Sequence, residues 1–312
     1  MKVGVIGAGA WGKNHVRTLH EMGALGAVVE MDADLRAAVR EAYPDAAVAS
    51  SLDELKSDGA FDGVEAFVVA TPAPTHREVA DELFAAGRHV LVEKPMALSA
   101  GDAEAIVRAS EKAGKTLMVG HLLLFQPAIR FIKDYLDQGK LGKIYTLTQR
   151  RSKLGRARKV ENVLWSFGVH DVAVLLHLVG EAPAEATAFG HSSVSAGVED
   201  DVHLHMRFEN GILANLHNSW LWPRVERELI VVGEKGMLVF DEVNQKVILH
   251  RKGIETGTLL NRDEGEETVF EGADQPLRLE LEHFIESCET GAAPIADGVN
   301  GVDVVRVLEQ AG

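Results

Sequence analysis

The sequence predicts an α/β fold: a Rossmann-type, doubly wound parallel sheet, joined to a second α+β domain with a large, predominantly antiparallel open sheet. Three observations lead there. In "KVGVIGAGAWGKNHVRTL" an alternating apolar run breaks on glycine and resumes with helical spacing. Strand-like and helix-like segments then alternate as far as about residue 121. Beyond that point strand patterns dominate. Strands alternating with helices imply a parallel sheet, and runs of strands imply antiparallel pairing.

The glycine turn is Gly7-Ala8-Gly9-Ala10-Trp11-Gly12, which fits G-x-G-x-x-G between a strand and a helix. Gly7 is expected to make the tight turn, Gly9 to let backbone approach a pyrophosphate, and Gly12 to let the helix pack closely on the strand. Free N–H groups at the helix start would face the phosphates. The next strand, "LGAVVEMD", ends on Glu30, whose carboxylate can accept hydrogen bonds from a ribose diol. A 2′-phosphate would meet repulsion there, so NAD is expected rather than NADP.

The alternation continues through helix "LRAAVREAY", strand "AAVAS", helix "SLDELKSDG" with Ser51 as N-cap, and buried strand "VEAFVVATP". Helix "PTHREVADELFAAG" ends on Gly87 and strand "HVLVEKP" follows, then a helix capped by Ser99 and strand "TLMVGH". Ligands of such sheets bind at the carboxyl ends of the strands. That rule gathers Gly7, Glu30, Thr71, Glu93, Lys94 and His121 around one crevice.

The expected domains are 1–121 for the dinucleotide and 122–289 for substrate and oligomerisation, with a helix at about 290–312 packing back on the first. In the second domain "PAIRFIKDYLDQGKLG" reads as a helix and "KIYTLTQRRS" as a strand. A helix starts near Gly168, and a series of strands follows from "AEATAFGHS" to "KVILHR". Asn210-Gly211 is a two-residue hairpin signal. A turn there puts Val202, Leu204, Met206 and Phe208 on an apolar face, with His203, His205 and Arg207 on a mixed one. It sets His203 and His205 across from Asn218 and Leu216 and aims His217 the other way, so no metal is expected. The mixed face is a candidate for pairing copies into a homodimer or homotetramer.

Composition narrows the function. The chain has 312 residues, 46% hydrophobic and 25% charged, as an ordered globular protein requires. A formal net charge of -15 speaks against general nucleic-acid binding. A single cysteine, Cys288, allows no internal disulfide and fits a cytoplasmic protein. The N-terminal segment lacks the regions of a signal peptide, and no apolar run reaches membrane-spanning length, so no membrane partner is expected. Against this acidic background, "RRSKLGRARK" at 150–159 holds six basic residues in ten.

"VGVIGAGAWG", "VVATPAPTH" and "HVLVEKPMALS", in that order and spacing, resemble the Gfo/Idh/MocA oxidoreductase family over nearly the whole chain. The resemblance implies that Lys94 is the catalytic lysine beside the nicotinamide and that Pro95 follows a bond often cis in the family. It implies that Thr71, Pro72 and His76 pass the cofactor and that Glu93 meets a cofactor ribose. The second signature, Gly-x-His-Asp, reads Gly168-Val169-His170-Asp171 here, which gives His170 the second catalytic role. Ser166 stands where many members carry Asp, and Leu124 where many carry Arg. "GHLLLFQPA", "KLGRARKVEN" and "LWSFGVHD" look like members from surface-polysaccharide pathways. The better-known of those oxidise carbon 3 of a UDP-linked N-acetylglucosaminuronic acid with NAD.

Oxidising a secondary alcohol needs a base for the hydroxyl proton. Lysine is a poor base at its reference pKa of about 10.4, but a neighbouring cation and partial desolvation improve it. In this scheme Lys94 and His170 handle the proton. Arg150, Arg156 and Arg158 bind substrate anions through their planar forks, and Asn162, Trp165, His170 and Asp171 complete the sugar pocket. The alternatives are a dehydrogenase of a free sugar or polyol and a non-catalytic dinucleotide sensor. The intact Lys94 and His170 speak against the sensor.

Overall fold

The computed structural model describes residues 1–155 and 157–311. They form two compact units, 1–122 with 275–305, and the described residues of 123–274 with 306–311.

The first unit holds β1 (Val3–Ile6), α1 (Gly12–Glu21), β2 (Leu25–Val29), α2 (Ala33–Ala42), β3 (Ala47–Ala49) and α3 (Leu52–Ser57). It continues with β4 (Ala66–Val69), α4 (His76–Ala85), β5 (His89–Val92), α5 (Ala100–Ala113) and β6 (Leu117–Val119). The strands make one parallel sheet in the order β3-β2-β1-β4-β5-β6, whose order reverses beside β1. Val3, Val5, Ala66, Phe67, Val68, Val90 and Leu91 are fully buried, as strands covered on both faces require. Polar caps start the helices: Ser51 accepts from the Glu54 N–H and Ser99 from the Asp102 N–H, as expected, and Asp32 accepts from Asp34 and Leu35.

The second unit holds α6 (Pro127–Asp137), β7 (Ile144–Leu154), a π-helical turn (Leu164–Gly168), α7 (Val169–Val179), β8 (Glu185–His191), β9 (Asp201–Arg207) and β10 (Leu213–Ser219). After these come β11 (Leu221–Gly233), β12 (Gly236–Asp241), β13 (Lys246–Ile254) and β14 (Asn261–Glu271). The eight strands run β14-β13-β12-β11-β7-β10-β9-β8, antiparallel except for β7 with β10. Leu147, Leu204, Met206, Leu216, Val231 and Leu249 are buried on one face, while Thr148, Arg150, His203, His205 and Arg207 on the other are exposed.

Two helices complete the chain, α8 (Pro276–Thr290) and α9 (Gly298–Ala311). Helix α8 groups with the first unit, so the main stretch of the second ends at 274 and not at the expected 289, and α9 divides, with 298–305 in the first unit and its end in the second. Cys288 is buried on α8. No helix among the described residues is long and apolar enough to cross a membrane.

One register differs from expectation. The β9–β10 turn uses Glu209, Asn210 and Gly211, closed by the Phe208 N–H to the Ile212 carbonyl at 3.0 Å. Gly211 takes the left-handed conformation, φ 87°, that closes a three-residue loop. The pairing therefore moves by one residue, which turns every side chain of one strand to the other face. His217 lies opposite His203, and Asn215 opposite His205, on the open face.

Candidate active site

The glycine turn is built as its spacing requires. Gly7 sits at φ 88°, and a Cβ there would come within 2.9 Å of the Ala70 carbonyl oxygen. A Cβ on Gly12 would lie 1.9 Å from the Gly7 carbonyl oxygen, so only glycine lets α1 start there. Above Gly9 there is nothing within 4 Å, leaving its backbone open to a ligand. Gly7 and Gly9 line a pocket of about 620 Å³ with Glu30, Ser51, Thr71, Pro72 and Thr75. Glu30 closes the end of β2, accepting from the Ala8 N–H at 2.6 Å and the Asp32 N–H at 2.9 Å. Arg36 is turned onto the carbonyls of Glu30 and Met31. These residues fit a dinucleotide: bare backbone for the phosphates and a carboxylate for the ribose.

Glu93 is the hub of a buried polar cluster in the same unit. Its Oε1 accepts from the Trp11 indole at 2.7 Å and meets His15 Nε2 at 2.6 Å, and its Oε2 accepts from the Lys94 N–H at 3.1 Å. Burial pushes the Glu93 carboxyl up, but His15, Lys94 and Trp11 outweigh it and hold it below the ordinary carboxylate value. The carboxylate expected to meet a ribose is thus bound from within the unit, with Trp11 as one of its donors. His121, fully buried nearby, is pushed down to about 3 by burial, so its ring stays neutral. Glu280 of α8, also fully buried, is raised well above its ordinary value by burial and then by Glu93.

His76 is also placed differently from expectation. It is 1% exposed, with Nδ1 at 3.0 Å from the Pro95 carbonyl and Nε2 at 2.8 Å from the Thr71 carbonyl. It ties the loop after β4 to the loop after β5 and presents no ring edge to a cofactor. The Lys94–Pro95 bond is cis.

In the second unit His170 is half-buried in the first turn of α7, directly after the π-helical turn. Its neighbour Asp171 is 0% exposed and accepts from Arg151 Nε at 2.8 Å, Gln149 at 3.2 Å and Asn218 at 2.8 Å. Arg151 in turn donates to both oxygens of Glu242, at 3.0 and 2.7 Å. Burial raises Glu242, but Arg151 and Arg227 more than offset it and keep the carboxyl below its ordinary value. Asp171 therefore anchors α7 to the sheet, a correction to its expected role as a substrate contact. Gly168 belongs to the same packing, since a Cβ there would reach Asn218 Oδ1 and Leu164 Cδ1 at 2.5 Å.

The basic segment is divided. Arg150 and Arg151 alternate along β7, so Arg150 faces the open side and pairs with Glu226 at 2.9 Å. It lies on the face of the sheet opposite Asp171, so the two cannot share a ligand. Arg158 pairs with Glu161 at 3.0 Å, and Lys153 lies 5.6 Å from the Phe167 ring centre. Arg156 lies outside the described residues. Asn162 holds the π-helical turn, accepting from the Trp165 N–H at 3.0 Å and donating to Glu199 at 2.9 Å. Trp165 is half-buried on that turn. Sequence reading misses Gln149, Asn218 and Glu242, because no local pattern marks a carboxylate 91 residues from its arginine.

Comparison with known proteins agrees with this organisation. Residues 1–121 match the model described as an oxidoreductase family with an NAD-binding Rossmann fold, and residues 129–239 match the Gfo/Idh/MocA C-terminal domain. The 1,5-anhydro-D-fructose reductase of Ensifer adhaerens is 30% identical, over 81% of this chain and 77% of its own. The UDP-N-acetylglucosamine 3-dehydrogenase of Acidithiobacillus ferrooxidans is 28% identical, over 99% of this chain and 96% of its own. The solved structure of that dehydrogenase has a TM-score of 0.87 and 26% identity, covering all of this chain and 96% of the other. The chain belongs to the Gfo/Idh/MocA oxidoreductase family and is a nicotinamide-dinucleotide-dependent dehydrogenase.

Proposed function

We propose that the protein oxidises the carbon-3 hydroxyl of a UDP-linked N-acetylhexosamine with NAD, in the making of surface-polysaccharide sugars in the cytoplasm. Two things support a sugar nucleotide: the end-to-end similarity to a UDP-N-acetylglucosamine 3-dehydrogenase, and the resemblance of "GHLLLFQPA" and "LWSFGVHD" to members of such pathways.

One observation carries the choice of sugar. Arg150, Arg151 and Arg158 each have a carboxylate of their own, in Glu226, Asp171 with Glu242, and Glu161. Of the arginines expected to bind substrate anions, Arg150 and Arg158 are matched within the chain, and Arg156 lies outside the described residues. The neutral N-acetylhexosamine therefore fits better than the uronate.

NAD, when bound, supplies the hydride acceptor. The turn from Gly7 to Gly12 would hold its phosphates through the open backbone at Gly9, and Glu30 favours a free ribose diol over a 2′-phosphate. Lys94 takes the substrate hydroxyl proton at Nζ, and His170 is the second proton-handling group. A positioned acid or base contributes about 10²–10⁴-fold in rate. The open sheet face, with Phe189 and Leu213 exposed on it, is inferred to pair copies of the chain.

The test is to mix purified protein and NAD with UDP-N-acetylglucosamine, its uronic acid, myo-inositol, glucose and 1,5-anhydro-D-glucitol, following NADH absorbance and product mass. Turnover of UDP-N-acetylglucosamine, lost in Lys94→Ala, is expected. Turnover of the nucleotide-free compounds with both UDP-sugars inert would overturn the reading. Activity unchanged in Lys94→Ala would overturn the role given to that lysine.

A further inference from the structure

None of the side chains given a role in the proposed chemistry lies on the open face of β9 and β10, yet that face carries three side chains of metal-ligating type side by side. Asp201, His203 and His217 each offer a donor atom, and the three atoms lie within 4.8 Å of one another. His217 Nε2 is 3.1 Å from Asp201 Oδ1, and His203 Nε2 is 3.9 Å from the same oxygen. The two imidazoles are stacked, with ring centres 4.0 Å apart and planes 4° apart, so one ring must turn about its χ angles for both Nε2 lone pairs to meet a single ion. The register of β9 against β10 sets this geometry, because it puts His203 directly opposite His217.

We propose that Asp201, His203 and His217 bind one divalent cation of the zinc class, pinning β9 to β10 on the open face. The donor set, two imidazole nitrogens and one carboxylate oxygen, suits zinc. Ligand atoms about 2.0–2.2 Å from a tetrahedral zinc lie roughly 3.3–3.5 Å from each other. The observed 3.1 and 3.9 Å bracket that spacing. The His217 ring is fixed by Trp222, packed edge-on with centres 5.7 Å apart. Half of the His203 side chain is exposed in the single chain, which leaves the ion an outer position for a fourth ligand, water or a group of the paired copy. Arg150, beside His217 on β7, is the nearby charge opposed to a cation, and Glu226 neutralises it. His205, two residues along β9, bonds Asn215 at 2.6 Å and stands outside the set.

The experiment uses the full, untagged chain stripped with a chelator and then titrated with Zn²⁺ by calorimetry and with Co²⁺ by visible absorption. The expected result is one ion per chain, with the absorption of a four-coordinate cobalt site. Even the outer partners of metal ligands are worth about 10–100-fold in affinity. His203→Gln, His217→Gln and Asp201→Asn should therefore each weaken binding by about 100-fold or more, while His205→Gln binds as the wild type does. No uptake by the wild-type chain overturns the proposal. So does uptake unchanged in His203→Gln and His217→Gln, or an equal loss in His205→Gln. The cobalt spectrum of the wild type decides the question if a variant fails to fold: absence of four-coordinate bands overturns the site.

Discussion

Arg151 and Asp171 meet inside the second unit through an Nε–Oδ1 hydrogen bond of 2.8 Å, and the far side of the same guanidinium grips Glu242. One planar fork thus joins the first turn of α7, which carries His170, to two parts of the sheet unit. Removing one partner of a buried pair costs about 3–5 kcal/mol, because the other charge is left buried and unmatched. Arg151→Ala should lose about that much in urea unfolding and should lower turnover as the His170 turn loosens. Arg151→Lys should recover little, since an ammonium cannot bond both carboxylates in the plane of a fork.

The glycines of the dinucleotide turn predict two different failures. Gly9→Ala meets no protein atom, so it should fold normally and lose dinucleotide affinity. Gly12→Ala puts a Cβ against the Gly7 carbonyl and should lose stability as well. NADH fluorescence titration beside a thermal melt separates the two. Equal melting temperatures in both variants would contradict the geometry.

Glu30 is proposed to set the preference between NAD and NADP. Glu30→Ser should weaken NAD and improve NADP, since a carboxylate repelling a 2′-phosphate is removed. The ratio of kcat/KM for the two dinucleotides is the readout, and a ratio unmoved by the substitution would remove Glu30 from that role.

Two buried groups of the first unit predict opposite pH effects on stability. His121 is pushed down to about 3 in the folded chain, so its contribution is present above the ordinary histidine value and is lost as pH falls toward 3. Glu280 is raised in the folded chain, so its contribution is present at low pH and is lost as pH rises through its folded value. Each proton taken up or released on unfolding adds a slope of about 1.4 kcal/mol per pH unit. Urea midpoints from pH 4 to 9 should therefore lose part of their acid slope in His121→Asn. Glu280→Gln should gain on the wild type as pH rises.

The first unit was largely legible because its signals are local. A glycine turn, capping serines and short apolar runs declare themselves within a few residues, and Ser51, Ser99 and Gly7 sit as their neighbours dictate. The second unit was less legible because its decisive contacts are distant. The charge of "RRSKLGRARK" is plain in sequence, but the carboxylates that claim Arg150 and Arg151, Glu226 and Glu242, are 76 and 91 residues away. Asn210-Gly211 announced a hairpin correctly, yet the turn enlists Glu209 as well, and that one residue decides which way His217 faces. Strand β14 is an edge strand with acidic residues on both faces, which hides its alternation.

Hydride transfer from carbon 3 is read out with UDP-N-acetylglucosamine carrying deuterium at that carbon, incubated with the purified protein and NAD. Mass spectrometry would follow both products. The expected products are a UDP-sugar lighter by deuterium and hydrogen and a reduced dinucleotide that carries the deuterium. Reduced dinucleotide without deuterium, or formed only from a nucleotide-free sugar while the labelled compound is recovered intact, would contradict that transfer.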